Sequence, residues 1–305
     1  MSSINSPFRY AGGKFYARKL ILSHLSEHDS YVEPFAGGAS IFFAKNKVGA
    51  NWLNDADDAL MNVYNTIRDC PDELIEFLTR RSIRKSRIPD EFVNTVEFGD
   101  VLPATKALHG FFKLNFRPKN DIEKAGRWFY LNRTSYSGIM NYQNMYWGYG
   151  DKFSMQPKNW PRNILRTSEK LSDVNLTNWD FEKVVDEAID NSLIFLDPPY
   201  FNADQDKFYN CSFTKEDHIR LEKCLKRNAH RLRLFITYDN VPEIRELYSW
   251  MPELHDQEWN YCIQRTDDQK NGSIRKGERY KGQELFILNY EPEPEEEYQV
   301  RRVVG

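Results

Sequence analysis

Residues 192–196, Ser-Leu-Ile-Phe-Leu, run without a charged position directly into Asp197-Pro198-Pro199-Tyr200. A strand with no polar alternation has no face to turn to water, so it must be covered on both sides, as a central strand of a parallel sheet is by flanking helices. The rest of the chain supplies the neighbours such a strand needs. Residues 30–35 read as a strand followed by a helix over 38–45, and residues 50–54 as a second strand followed by a helix over 59–68. Beyond the apolar run, Thr214 reads as an N-cap, with Glu216 and Asp217 in the first turn of a helix reaching to about His230. Residues 232–238 form another strand, Pro242 suits the start of the next helix, and residues 258–264 and 284–290 pair as an antiparallel edge. Alternating strands and helices of this kind define the α/β class.

The stretch 67–186 breaks that alternation. From Trp128 to Trp160 inclusive there are ten aromatic residues, three basic ones and one acid, with Asn and Gly scattered among them and no sustained period in the second half. The expected organisation is therefore a catalytic domain made of 1–66 and 187–290, interrupted by a recognition insert over 67–186. Residues 291–305 form a polar tail that opens with five glutamates and two prolines in seven positions, too polar to pack. A chain of 305 residues has room for one α/β core and such an insert. It has no apolar stretch approaching the ~18 residues of a membrane span, so the reading is of an intracellular, unanchored protein.

Composition removes several chemistries. The four cysteines, at 70, 211, 224 and 262, have neither close spacing nor a histidine at ligand distance in sequence, which argues against a metal site or a disulfide framework. The six histidines form no triad pattern, and there is no Gly-x-Ser-x-Gly elbow, so hydrolysis has no support. A net charge of −3 provides no overall basic footprint. Phosphate contacts would have to come from local clusters, of which there are two: Arg80, Arg81, Arg84, Lys85 and Arg87, and Lys270, Arg275, Lys276, Arg279 and Lys281.

Three blocks carry chemistry. Asp197-Pro198-Pro199-Tyr200 follows the buried strand, at the carboxyl end where open parallel sheets collect ligands. An amino group conjugated to a purine is a poor nucleophile because its lone pair is delocalised. A carboxylate and a backbone carbonyl, each accepting one N–H, free that lone pair; Asp197 offers the first acceptor and Pro198 the second. Pro199 restricts Pro198 and fixes the direction of its carbonyl. Tyr200 offers a stacking face worth roughly 1–3 kcal/mol to an unstacked base. The second block, Glu33-Pro34-Phe35-Ala36-Gly37-Gly38, joins the first strand to its helix; its glycines admit a ligand close to the backbone. Asp55 closes the second strand at a spacing suited to accepting from ribose hydroxyls, which implies a nucleoside cofactor. The third, Pro7-Phe8-Arg9-Tyr10-Ala11-Gly12-Gly13-Lys14, lacks the first glycine and the Ser or Thr of a phosphate-binding loop, leaving Lys14 to meet a carboxylate.

In this order the blocks resemble the Dam-type, alpha-group family of adenine-specific DNA methyltransferases. The resemblance covers most of the chain and extends to Phe129-Tyr130-Leu131-Asn132-Arg133-Thr134, Ile236-Thr237-Tyr238-Asp239-Asn240 and Glu284-Leu285-Phe286-Ile287-Leu288-Asn289-Tyr290. It implies a Rossmann-like S-adenosylmethionine-dependent methyltransferase sheet with an inserted, mostly helical DNA-recognition domain. It also implies methylation of the adenine 6-amino group in double-stranded DNA with base flipping, no metal, and a cytoplasmic, prokaryotic or phage-encoded setting in which a cognate restriction endonuclease can be a partner. Tyr10, Ala11 and Gly12 are implied as a wall beside the cofactor, with Lys14 as its partner. Phe35 and Gly37 are implied in its loop, Asp55 at its ribose, and Asp197 between its methionine end and the target amine. Arg9, Arg133, Tyr136 and Asn141 are the expected nucleic-acid contacts. Where GATC-reading members carry an Arg after a Gly-Leu run, this chain has Gly138-Ile139-Met140-Asn141. Arg forks onto guanine whereas Asn suits adenine, so a target other than GATC is expected. The same amine chemistry would serve cytosine in DNA or a base in RNA, and a DNA-binding relative without activity is the reading from a different class; Asp at the head of the tetrapeptide favours adenine.

Overall fold

The computed structural model describes residues 3–10, 12–79, 101–150, 154–202, 213–260 and 281–292. Their strands form a seven-stranded sheet in the order β3-β2-β1-β4-β5-β7-β6. β1 (Ser30–Glu33), β2 (Ala50–Asn54), β3 (Val174–Thr177), β4 (Leu193–Leu196) and β5 (Arg233–Asp239) are parallel. β7 (Lys281–Leu288) runs antiparallel to β5, and β6 (Glu253–Asn260) pairs antiparallel with β7 at the edge. This is a mixed α/β, Rossmann-like architecture. The sheet buries both faces in strict alternation: Leu193 and Phe195 of β4 enter one core cluster, while Ile194 and Leu196 enter the other. The unbroken apolar run is thus explained.

The first face is covered by α1 (Arg18–Ser23), α2 (Ser40–Ala44) and α3 (Asp58–Asp69). α3 in turn packs against helices of the middle region, α4 (Pro71–Phe77), α6 (Asp121–Thr134) and α7 (Trp160–Leu171), and α5 (Lys106–Leu114) packs on α6. The second face is covered by α8 (Phe181–Glu187), α9 (Lys215–Asn228) and α10 (Pro242–Leu247). Thr214 caps α9 through a reciprocal box with Asp217, as its sequence predicts. Among the described residues no helix is long and apolar enough to cross a membrane.

Several boundaries differ from the sequence reading, each for a local reason. β1 stops at Glu33 rather than 35, because Pro34 has no N–H to give the ladder. α2 starts at Ser40 rather than 38, because Gly37 and Ala39 hold φ of 46° and 45°. β6 begins at Glu253, five residues before the expected 258. The span 67–186 is also not wholly outside the sheet, since β3 pairs with β2 from Asn51↔Val174 to Asn54↔Thr177. Four residues of mixed polarity gave no period from which to find that strand.

The middle helices share one continuous core with the sheet rather than closing around their own. Tyr31, Leu53 and Phe195 from the sheet belong to the same cluster as Phe77, Phe112, Tyr130 and Trp160. Its aromatic links include Phe8 with Tyr64 at 4.9 Å, Phe8 with Trp128 at 4.8 Å, and Phe112 with Tyr130 at 4.7 Å between ring centroids. α6 is its axle. Every residue from Trp128 to Thr134 is buried, polar ones included, so this helix shows no amphipathic stripe. At Gly126 a Cβ would lie 2.1 Å from the Phe77 ring. Elsewhere in a helix Gly→Ala stabilises by about 0.5–1 kcal/mol. Here Gly126→Ala is expected to destabilise by roughly 1–3 kcal/mol through overpacking, measured by urea unfolding; a gain in stability would show that the two helices separate freely.

Candidate active site

β1 and β4 lie side by side, and from them the chain winds in opposite directions across the sheet. The crevice at their carboxyl ends is the switch point at which such sheets bind ligands. Asp197, one residue beyond β4, stands there with its side chain 21% exposed. The Lys14 ammonium, whose side chain is 3% exposed, meets Asp197 Oδ1 at 2.6 Å. Thr237 on β5 donates to the same oxygen at 2.8 Å. The register Leu196↔Ile236 is what brings Thr237 level with Asp197. Among the described residues both hydrogen bonds to this carboxylate go to Oδ1.

The rest of the tetrapeptide is held from β5. Pro198 is buried, and Pro199 and Tyr200 are half-buried. The backbone N–H groups of Phe201 and Asn202 donate to the two oxygens of Asp239 at 3.0 and 3.1 Å, pinning the loop that carries Tyr200. The Lys14 ammonium lies 4.8 Å from the centre of the Tyr200 ring. On β7, Glu284 is fully buried with Lys14 at 3.9 Å. Thr237, Asp239 and Glu284 stand in blocks that carry the resemblance, but the sequence assigns them no role. They lie 40, 42 and 87 residues beyond Asp197, and only strand register puts them beside it.

The glycine loop is built against the amino-terminal segment. A Cβ on Gly37 would stand 2.9 Å from the Tyr10 ring, and one on Gly38 would stand 3.0 Å from Tyr10 Cβ. The Gly37 N–H donates to Asp55 Oδ2 at 2.8 Å, and the Asp57 N–H to Asp55 Oδ1 at 3.0 Å. Tyr10, Gly37 and Asp55 are therefore brought together. Phe35 faces away from them, into the second core, with Phe181 and Phe213 each 5.5 Å off. Gly12, with φ of 78°, forms the turn closed by the Gly13 N–H on the Tyr10 carbonyl at 3.1 Å. Ala11 lies outside the described residues.

Three carboxyls here are shifted by burial. Glu33 is pushed up to about 8 even though Tyr31 and Phe42 both donate to its Oε1 at 2.7 and 2.8 Å. Burial moves Glu284 up to about 8 against the pull of Lys14. Asp55 is raised to about 6, again by burial.

The expected nucleic-acid contacts divide. Arg133 is only 5% exposed, and its guanidinium donates to the Pro7 carbonyl at 3.3 Å, so in this conformation it holds the amino-terminal segment and presents no charge outward. Arg9 is similarly engaged, through the Ser135 carbonyl at 3.2 Å and the Ser154 hydroxyl at 3.4 Å. Both were expected at nucleic acid through the resemblance, and a matched position does not report burial. Tyr136 is 38% exposed and stacks on the exposed Tyr146 with centroids 5.1 Å apart and planes 13° from parallel. The Asn141 side-chain oxygen accepts from the Gln143 and Asn144 N–H groups at 3.0 and 3.3 Å, fixing the turn between the two tyrosines. Of the two basic clusters, 80–87 lies outside the described residues, as does the other up to position 280. Among the described residues no group of His, Cys, Asp and Glu has a metal-binding arrangement.

The family model for the D12 class of N6 adenine-specific DNA methyltransferases matches residues 10–263. A type II methyltransferase of Lactococcus lactis subsp. cremoris is 24% identical over 300 residues, covering 93% of this chain and 95% of that protein. The DNA adenine methylase of Escherichia coli (strain K12) is 25% identical over 292 residues, 93% of this chain and 94% of the relative. A DNA N-6-adenine-methyltransferase of Escherichia phage P1 is 29% identical over 253 residues, 80% of this chain but 31% of that longer protein.

The Glu33 shift carries a sign that unfolding can test. With its folded value at about 8 and its ordinary value at 4.5, the folded chain binds the extra proton, so this carboxyl stabilises the fold fully below the lower value. That contribution fades as pH rises through the upper one. Glu33→Gln keeps an acceptor for Tyr31 and Phe42 but cannot ionise. Its stability relative to the parent is expected to improve from pH 5 to pH 8 in urea unfolding; parallel curves would mean that Glu33 is not protonated in the fold.

Proposed function

This chain belongs to the D12 class of N6 adenine-specific DNA methyltransferases, and we propose that it receives the adenine 6-amino group on the carboxylate of Asp197 and the carbonyl of Pro198. The observation that carries this reading is the double engagement of Asp197 Oδ1 by Lys14 and Thr237. It locks the rotation of the carboxylate and leaves Oδ2 as the acceptor for an N–H. Pro199 holds the neighbouring carbonyl in a fixed direction. Acceptors already oriented lower the barrier without reorganising during the reaction. Tyr200 stacks on the extruded base, offsetting part of the few kcal/mol that unstacking costs.

The proposed methyl donor is S-adenosylmethionine, which supplies an electrophilic methyl on a sulfonium. The residues fit it: Gly37 and Gly38 have given up their Cβ atoms to the Tyr10 ring, and Asp55 stands at the end of β2 with its carboxylate fixed by two backbone N–H groups. Tyr10 and the glycine loop would hold it, and Asp55 would accept from its ribose hydroxyls. Lys14 keeps the Asp197 carboxylate oriented. No covalent intermediate with the protein is needed.

For DNA, residues 67–186 form the recognition region in this proposal, apart from β3 and the start of α8. The exposed Tyr136–Tyr146 stack marks the surface that meets the opened base step. Asn141 in place of an Arg supports a target sequence other than GATC. A cognate restriction endonuclease belongs to the same proposal, supported by the type II name of the Lactococcus relative.

The test is transfer of label from S-adenosylmethionine into mixed-sequence duplex DNA, followed by digestion to nucleosides. Label is expected in N6-methyl-2′-deoxyadenosine, and Asp197→Ala is expected to lower kcat by at least about 10²–10³-fold. Label in methylcytosine or in RNA alone would overturn the substrate assignment, and an active Asp197→Ala would overturn the acceptor. Thr237→Val, which frees the carboxylate to rotate, is expected to lower kcat about tenfold while leaving KM for both substrates within about twofold; an unchanged kcat would show that Lys14 alone fixes Asp197.

A further inference from the structure

Glu284 is an acid at a position where the chain has every reason to place a hydrocarbon. It is fully buried on β7, followed by Leu285, Phe286, Ile287 and Leu288, all of them buried. Taking a carboxyl out of water costs several kcal/mol unless it finds partners. The partners that Glu284 finds all belong to the crevice. The Lys14 ammonium is 3.9 Å away; both carboxyl oxygens are buried without a hydrogen bond among the described residues, and Tyr200 is among the groups that act on the carboxyl.

We propose that Glu284 is a positioning residue for methyl transfer, holding Lys14 behind Asp197 and the Tyr200 ring in front of it. The inference rests on the reading of Asp197 as the amine acceptor and extends it to a strand on the far side of β5. Lys14 arrives on the amino-terminal segment and Tyr200 on the loop after β4, and Glu284 interacts with both from β7. Fixing Lys14 fixes which oxygen of Asp197 is left for the amine. Fixing the Tyr200 hydroxyl fixes the tilt of the face on which the base stacks.

The charge of Glu284 matters because Lys14 can be shared. The groups facing it are Lys14 from the amino-terminal segment, Asp197 and Tyr200 from the end of β4 and its loop, Asp239 opposite on β5, and the uncharged Gln257 opposite on β6. With burial raising the carboxyl to about 8, it is protonated at neutral pH, and the ammonium belongs to Asp197. Ionised at higher pH, Glu284 draws Lys14 toward itself and loosens Asp197.

The experiment compares the whole protein with Glu284→Gln and Glu284→Leu, using the labelled-methyl assay from pH 6.5 to 9.5 with thermal unfolding alongside. The parent is expected to lose kcat as pH passes through about 8. Glu284→Gln, which keeps the shape but cannot ionise, is expected to lose that limb of the profile. Glu284→Leu is expected to lower kcat about 10²-fold with KM for DNA within about threefold and with Tm unchanged or raised, and the Gln variant is expected to recover most of that loss. A Gln variant with the parental limb, or a Leu variant with parental kcat, overturns the proposal. Asp197→Ala in the same assay separates the two readings: if it is active the acceptor assignment has failed, whereas if it is inactive while Glu284→Leu keeps its kcat, only the role of Glu284 has.

Discussion

The ion pair between the buried Lys14 and the half-buried Asp197 is the constraint around which the molecule is arranged. An ammonium withdrawn from water has to be answered where it lies, and a pair broken on one side costs more than the pair ever contributed. Lys14 sits on a segment without regular structure that would not stay over the sheet unaided. It is strapped down by Ser6 donating to the Gly38 carbonyl, by Asn132 bridging the backbone of Arg9 in both directions, and by Arg133 on the Pro7 carbonyl. Phe8 anchors the same segment among Tyr64, Trp128 and Phe129. The fully buried second half of α6 is thereby explained: its polar residues face inward because they hold the strand of chain that delivers the lysine.

What the sequence disclosed and what it hid follow from the range of the interactions. β4, the glycine loop and the capping of α9 were legible because each is written in contiguous residues: an apolar run, a pair of small residues after a strand, a Thr with an acid three positions on. The D12-type function followed from blocks of that same kind. Thr237, Asp239 and Glu284 were not legible as site residues, since their role exists only after β5 and β7 have taken their places. Arg9 and Arg133, expected at nucleic acid through the resemblance, here donate to the carbonyls of Ser135 and Pro7, contacts between distant segments that no contiguous block discloses. The helical period of α6 was hidden for a related reason, because a helix buried all round has no stripe.

Charge inside the fold is balanced locally and not on average. Burial lowers Lys45 to about 7 and Lys170 to about 8, while it raises Glu33 and Glu284 to about 8. Lys170 donates to the Lys45 carbonyl at 2.6 Å, and the Lys45 ammonium lies over the Tyr31 ring whose hydroxyl serves Glu33. One line of buried ionisable groups therefore runs from the α7 side, beneath the sheet, toward the crevice. An overall charge of −3 says nothing of it. Such groups are poor investments for stability, and a chain that keeps them around a strand switch point keeps them for what happens there.

The shared core limits how recognition and chemistry can be coupled. Had the middle helices closed around a core of their own, they could turn as a body on a linker when DNA binds. Instead Tyr130 and Trp160 belong to the cluster that includes Tyr31 and Phe195, and α3 packs on α6 on the way between them. Packed cores move between discrete arrangements and do not deform smoothly. The parts left to adjust are the small ones at the surface: the turn at Asn141, the stacked Tyr136 and Tyr146, and the loop pinned by Asp239. Tyr136 follows directly on Ser135, whose carbonyl holds Arg9, one position before Tyr10. Movement of the stacked pair when a base step opens would therefore be felt, through Arg9, by the ring that lies against Gly37.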